Sequence, residues 1–184
     1  MSPNTGMRET NLAVIGAGPG GYAAAFAAAD RGIRDVVLID ADEQPGGVCL
    51  NRGCIPSKTL LHIARLIMEA RDAQSWGIRF GRPEIDLNAL RRWKNEVVNR
   101  NANGIRQLAK ARGVELLRAW ARFEDSQTLV LRHDAGGQAG ESRLRFRHAI
   151  LAVGSRPTAI PSLSIDSPRV MDSTSALDLP DVPA

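Results

Sequence analysis

Cysteine is scarce in this chain: 184 residues carry two, Cys49 and Cys54. A zinc knuckle needs a second pair of ligands. Neither His133 nor His148 has a cysteine or carboxylate partner at ligand spacing, so both read as ordinary residues and no metal site is expected. Lysine is nearly absent too, confined to Lys58, Lys94 and Lys110. The net charge of +4 therefore rests on arginines scattered along the chain. With no basic run interleaved with aromatics, they read as solvated surface and not as a nucleic-acid-binding patch. No apolar run approaches the length of a membrane span. Met1–Arg8 lacks the apolar region of a signal peptide. A cytoplasmic location is the expectation, and reducing compartments do not sustain structural disulfides. Two cysteines there point to chemistry more than to a staple.

What is present fits one soluble domain with a sizeable core: 43% hydrophobic and 24% charged residues over a length too short for two full nucleotide-binding domains. Both cysteines fall in Gly46–Lys58, GGVCLNRGCIPSK. On a regular helix, positions i and i+5 are roughly 7.5 Å apart along the axis alone. A disulfide needs Cα atoms about 4.4–6.8 Å apart. An oxidised pair thus requires a distortion, which Gly53 can supply. Pro56 is tolerated in a first helical turn. The cysteines are expected at the N-terminus of a helix running to about Arg71, where the helix dipole lowers thiol pKa. Two buried structural thiols are the bland alternative.

Upstream, Asn11–Ile15 reads as a buried parallel strand that runs into Gly16-Ala-Gly18-Pro-Gly-Gly21. In G-x-G-x-x-G at a strand-to-helix junction, Gly16 permits the tight turn. Gly18 lets backbone approach a pyrophosphate, and Gly21 lets helix and strand pack closely. The alanine-rich helix expected from about Gly20 to Arg31 would offer its N–H groups to phosphates. A second strand, Asp35–Asp40, ends on a carboxylate placed to accept hydrogen bonds from an adenosine ribose. By itself the motif fits NAD or FAD.

Downstream, Leu60, Leu61, Ile63, Ala64, Ile67 and Met68 form a helical stripe. Gly77–Pro83 reads as a loop, and Asp86 as the N-cap of a helix over Leu87–Ala111. Val114–Ala119 reads as a third parallel strand. Trp120–Glu124, Thr128–Arg132 and Ser142–Arg147 read as an antiparallel meander linked in part by the polar loop Asp134–Glu141, and Ala149–Val153 as a fourth parallel strand.

GGVCLNRGCIPSK, behind a strand–glycine–helix–strand unit, resembles the redox-active segment of the pyridine nucleotide–disulfide oxidoreductases. Its Cys-Ile-Pro-Ser-Lys run is most similar to the dihydrolipoyl dehydrogenase branch. The resemblance implies an α/β, Rossmann-like FAD-binding domain with a parallel sheet and an inserted antiparallel meander. Its expected extents are a mobile tail over 1–9, the FAD and redox-disulfide domain over 10–157, and over 158–184 a connection toward an NAD-binding domain. It implies Cys49 as the sulfur that exchanges with substrate and Cys54 as the sulfur nearer the flavin. FAD contacts are implied at Gly16, Gly18, Gly21, Asp40, Gly46, Gly47, Val48, Lys58, Ala119, Gly154 and Ser155. Family members more often carry glutamate where Asp40 stands. Implied partners are lipoyl domains of 2-oxoacid dehydrogenase or glycine cleavage complexes, NAD in the full-length enzyme, and a second copy in a homodimer. These residues hold no second G-x-G-x-x-G and no histidine base with its glutamate partner, so full turnover is not expected of them alone. A related FAD disulfide reductase of mercuric reductase type, and a stand-alone flavin- or nucleotide-binding module, are the competing readings.

Overall fold

The computed structural model describes residues 7–133, 140–158, 160–163 and 165–181. Most of the expected tail and most of the loop over 134–141 lie outside the described residues. The chain divides into two compact units, Met1–Gly47 with Ala102–Gly154 and Val48–Asn101 with Ser155–Ala184.

The first unit is built on a six-stranded sheet of β1 (Arg8–Ile15), β2 (Val36–Asp40), β3 (Val114–Arg118), β4 (Trp120–Phe123), β5 (Thr128–His133) and β6 (Gly140–Leu151). Their order is β3-β2-β1-β6-β5-β4. The first four pair in parallel, and β5 and β4 continue the sheet antiparallel. Leu12, Ala13, Val14 and Ile15 are all buried, as are Val36 to Ile39, so the central strands are covered on both faces. On one face Ala13, Ile15, Val37 and Ile39 join Leu129, Leu131, Leu144 and Phe146 in a single apolar cluster. Helix α1 (Pro19–Asp30) packs beside β1 and β2. Its Ala25 and Ala28 are buried, and such small side chains permit a close approach. Arg112 ties down its last turns, bonding Asp30 at 3.0 Å and lying 5.2 Å over the Phe26 ring.

Two expectations are corrected in this sheet. The strands expected over Ser142–Arg147 and Ala149–Val153 are one strand, β6. No turn residue separates them, and Leu144 and Phe146 keep the alternation inward. Residues 140–145 pair antiparallel with β5 and residues 144–151 pair parallel with β1, so Leu144 and Arg145 have partners on both sides. The meander therefore grows out of the parallel sheet through a shared strand. Second, β1 starts at Arg8, inside the expected tail, because Arg8 is paired with Leu144 in register and with Glu115 by an ion pair.

The second unit holds α3 (Cys54–Asp72), a 3₁₀ turn at Ala73–Trp76 and the first turns of α4 (Leu87–Ala111). Asp86 caps α4 as expected, its Oδ1 accepting from the N–H groups of Asn88 and Ala89 at 2.9 and 3.0 Å. Lys94 Nζ donates to the Leu177 carbonyl at 2.6 Å, holding the C-terminal segment against α4. The stripe expected on α3 is only partly covered: Leu60, Ile63 and Ile67 are half-buried on the face of Pro56 and Thr59, whereas Leu61 and Met68 are exposed.

Candidate functional site: a glycine cradle, an acidic cleft and a thiol pair

Two of the three glycines of the first motif are required by backbone that a side chain would strike. Gly16 has φ +101°, and a Cβ there would stand 2.2 Å from the Ala152 carbonyl oxygen. At Gly21 it would stand 1.7 Å from the Gly16 oxygen. Gly18 differs: its nearest neighbour would be Gly47 Cα at 3.8 Å, so the space beside it is open. Gly47, at φ +59°, backs onto the same loop, where a Cβ would come within 2.7 Å of Gly18 Cα. Gly46 N–H donates to the Ala17 carbonyl at 2.8 Å. Gly18 caps α1 without a side chain, and the first turn of that helix has no acidic residue. The result is an anion-accepting helix end with glycine backbone on two sides.

Asp40 sits at the end of β2. Its Oδ2 accepts from Ala17 N–H at 2.5 Å and its Oδ1 from Asp42 N–H at 2.9 Å, which fixes the carboxylate against the glycine loop. It lines a cleft of about 320 Å³ together with Leu38, Pro45, Leu116 and Leu117 on the apolar side and Asp42, Glu43, Arg106 and Arg118 on the polar side. Ligand sites run from about 300 to 1,000 Å³, so this cleft takes part of a dinucleotide, not a whole one. Ala119 stands just past β3, buried, its N–H bonded to the Asp40 carbonyl at 2.9 Å. Gly154 has φ +72° with open space where a Cβ would be. In the sequence only the glycines and Asp40 marked this region. Arg106 carried no signal, because its position on α4 relative to β2 depends on how the chain folds back.

The thiol pair lies in the second unit, and its local fold differs from expectation. Cys54 opens α3, as the sequence suggested, but Cys49 lies in a separate short helix, α2 (Gly47–Arg52). Gly53 breaks the two apart. A Cβ at Gly53 would stand 2.9 Å from the Val48 oxygen and 3.3 Å from Cys49 Cα, so only glycine lets the chain double back this tightly. Pro56, in the first turn of α3, is buried. Both thiols are free, Cys49 half-buried and Cys54 exposed. The expected lowering of the Cys49 pKa is overturned: its thiol is pushed up, first by its hydrogen bond with Cys54, then by burial and by the charge of Cys54. Lys58, exposed on the second turn of α3, acts in the opposite direction. The dipole argument fails for Cys49 because it is not at the α3 N-terminus. Val48 and Ser155 are exposed.

His133 has both ring nitrogens occupied, by Ser142 Oγ at 2.9 Å and the Arg118 carbonyl at 3.3 Å, as suits an ordinary strand residue. Among the described residues no group of three His, Cys, Asp or Glu side chains could hold a metal ion, and no helix is long and apolar enough to cross a membrane.

The sequence profile described as pyridine nucleotide–disulphide oxidoreductase matches residues 10–184. The chain belongs to this family. Among similar curated proteins are the dihydrolipoyl dehydrogenases of Vibrio cholerae (42% identical over 175 residues), Haemophilus influenzae (45% over 175) and Haloferax volcanii (44% over 174). In each comparison the aligned region covers 95% of this chain and 36% of the relative, so the chain spans about a third of these proteins' length. The cradle, the acidic cleft and the thiol pair all fall within the matched residues of the family.

Proposed function

We propose that this chain is the FAD-binding, redox-disulfide portion of a dihydrolipoyl dehydrogenase. The observation that carries the reading is the glycine cradle itself, which in sequence runs through Gly47 into the Cys49–Cys54 pair. The donor set fits a flavin dinucleotide. The helix end at Gly18 suits a pyrophosphate, Asp40 suits a ribose diol, and Gly46, Gly47, Ala119 and Gly154 offer close backbone. Val48, Lys58 and Ser155 belong to this proposal by their place in the motifs. Bound FAD would supply a two-electron acceptor for the thiol pair. NAD, lipoyl domains of 2-oxoacid dehydrogenase or glycine cleavage complexes, a homodimeric assembly and a cytoplasmic location belong to the proposal for the whole protein. The names of the relatives favour dihydrolipoyl dehydrogenase over a mercuric reductase-type enzyme.

The chemistry assigned to the cysteines is thiol–disulfide exchange. A substrate thiolate attacks Cys49 Sγ of the oxidised pair, and the S–S bond breaks with its electron pair on Cys54. The second substrate thiolate then displaces Cys49 and closes the substrate disulfide. Two electrons pass to the protein, and Cys49 and Cys54 end as thiols. A thiol of lower pKa leaves faster, so the raised Cys49 pKa slows the second step, and Lys58, which acts in the lowering direction, favours it.

The test is a visible absorption spectrum of the purified chain after incubation with FAD and desalting. Retained flavin bands that change on adding dihydrolipoamide are expected. Retained bands that ignore the dithiol would leave a flavin-binding module with no redox pair in contact. A colourless protein would remove the FAD reading for this chain.

A further inference from the structure

Among the described residues that line the acidic cleft, Arg106 is the one that reaches in from a helix outside the strand–glycine–helix–strand unit. Its guanidinium is held by one edge on each side: Nη1 donates to Asn103 Oδ1 at 2.8 Å and Nη2 to the Glu43 carbonyl at 3.3 Å. Asn103 is on the same helix one turn back. Glu43 lies in the loop that follows β2, so Arg106 bridges α4 to that loop beside Asp40. A guanidinium anchored by its edges can still stack through its flat face on an aromatic ring. The lining also holds apolar residues: Leu38 and Leu116, neighbours in register on β2 and β3, with Leu117 and Pro45. Leu38 is 1% exposed and Leu117 packs against the core cluster, so half-buried Leu116 is the leucine left to meet a ligand. Apolar side chain, carboxylate and fixed planar cation together suit a purine nucleoside: the base between Leu116 and the guanidinium, the ribose on Asp40.

We propose that Arg106 is a positioning residue for the adenine of the bound dinucleotide, laying its guanidinium face on the base while Asn103 and Glu43 hold its edge. The proposal rests on the dinucleotide reading of this cleft. A purely structural Arg106, neutralising Asp40, Asp42 and Glu43 and pinning the loop, is the rival explanation.

The two separate in titrations of the full chain with ADP and with FAD, followed by calorimetry, alongside thermal melts. Arg106→Ala is expected to weaken ADP and FAD about three- to thirtyfold, the range of a cation–π contact. Arg106→Lys, which keeps the charge and loses the planar fork, is expected to recover only part of that. Should Arg106→Ala fold poorly, Asn103→Ala leaves the cation in place and frees its edge, and a several-fold loss of ADP affinity at an unchanged melting temperature is expected. Unaltered ADP affinity in Arg106→Ala and Asn103→Ala, or full recovery by lysine, would overturn the stacking role. The failure of the parent reading looks different. A wild-type chain that binds ADP but not FAD, with the Arg106 variants weakened, keeps Arg106 and removes the flavin. A wild-type chain that binds neither overturns both.

Discussion

Gly18 and Gly21 belong to one motif, yet the structure gives their alanine variants opposite fates. At Gly21 a methyl would lie 1.7 Å from the Gly16 oxygen and 2.8 Å from its carbon, both backbone atoms. Relief to an ordinary contact near 3.4 Å requires a displacement of about 1.7 Å between α1 and the turn that starts it. Overpacking of this kind costs about 1–3 kcal/mol, and a backbone obstacle places it at the upper end. Alanine returns about 1 kcal/mol in helix propensity. The net loss is about 2 kcal/mol, or roughly 4–8 °C in melting temperature for a chain of this size. At Gly18, φ −71° and ψ −177° suit any residue, and the only neighbour is Gly47 Cα at 3.8 Å. Gly18→Ala should melt with the wild type or slightly above it, since alanine restricts the unfolded chain by about 0.4–1 kcal/mol. Its methyl instead occupies the space proposed for pyrophosphate, so ADP and FAD affinity should fall by about tenfold or more. Paired thermal melts and ligand titrations decide the matter. A Gly21→Ala chain that melts with the wild type, or a Gly18→Ala chain that loses as much stability as Gly21→Ala, would show that the close approaches in the cradle are misassigned.

Two further outcomes follow from the titrating groups. The Cys49 thiol should react with iodoacetamide along a pH profile displaced above that of an ordinary thiol; Cys54→Ala, by removing the largest cause, should bring the profile down, and Lys58→Met should push it further up, as peptide mass spectrometry of alkylation rates would register. An unchanged profile in Cys54→Ala would mean that the sulfurs do not interact. Asp86→Ala should lower the melting temperature at neutral pH through loss of the α4 cap. Because the capping bonds hold the Asp86 pKa below its usual value, its contribution is present above the ordinary carboxylate pKa and is lost as pH falls through the depressed one. The gap between variant and wild type should therefore close in melts at strongly acid pH, and a gap that persists there would assign the effect to helix propensity instead.

The elements that were legible in the sequence are those whose signals are local. Gly16 and Gly21 announce a strand-to-helix turn because a side chain at either would strike backbone, and Gly18 completes the motif with open space beside it. The cap at Asp86, the break at Gly53 and the short apolar run of β5 are likewise written within a few neighbouring residues. Misreadings arose where pairing partners are remote. Ser142–Arg147 and Ala149–Val153 looked like two strands because their partners differ. They are one strand because Leu144 and Arg145 pair with β5 on one side and β1 on the other. Arg8 looked like tail because Leu144 and Glu115, which hold it, are more than a hundred residues away.

For the chemistry the division is the same. The sequence alone determined that two thiols share a short segment with a glycine break and that a glycine turn precedes them, since spacing and residue type are covalent facts. Only the tertiary structure decided that Cys49 sits in its own short helix with a raised pKa, that Gly47 backs onto Gly18, and that Arg106 crosses to Glu43 beside Asp40. The last two depend on non-bonded distances between segments far apart in the chain and the first on how Cys54 and Gly53 fold back on Cys49, and such distances are set by packing rather than by order along the sequence.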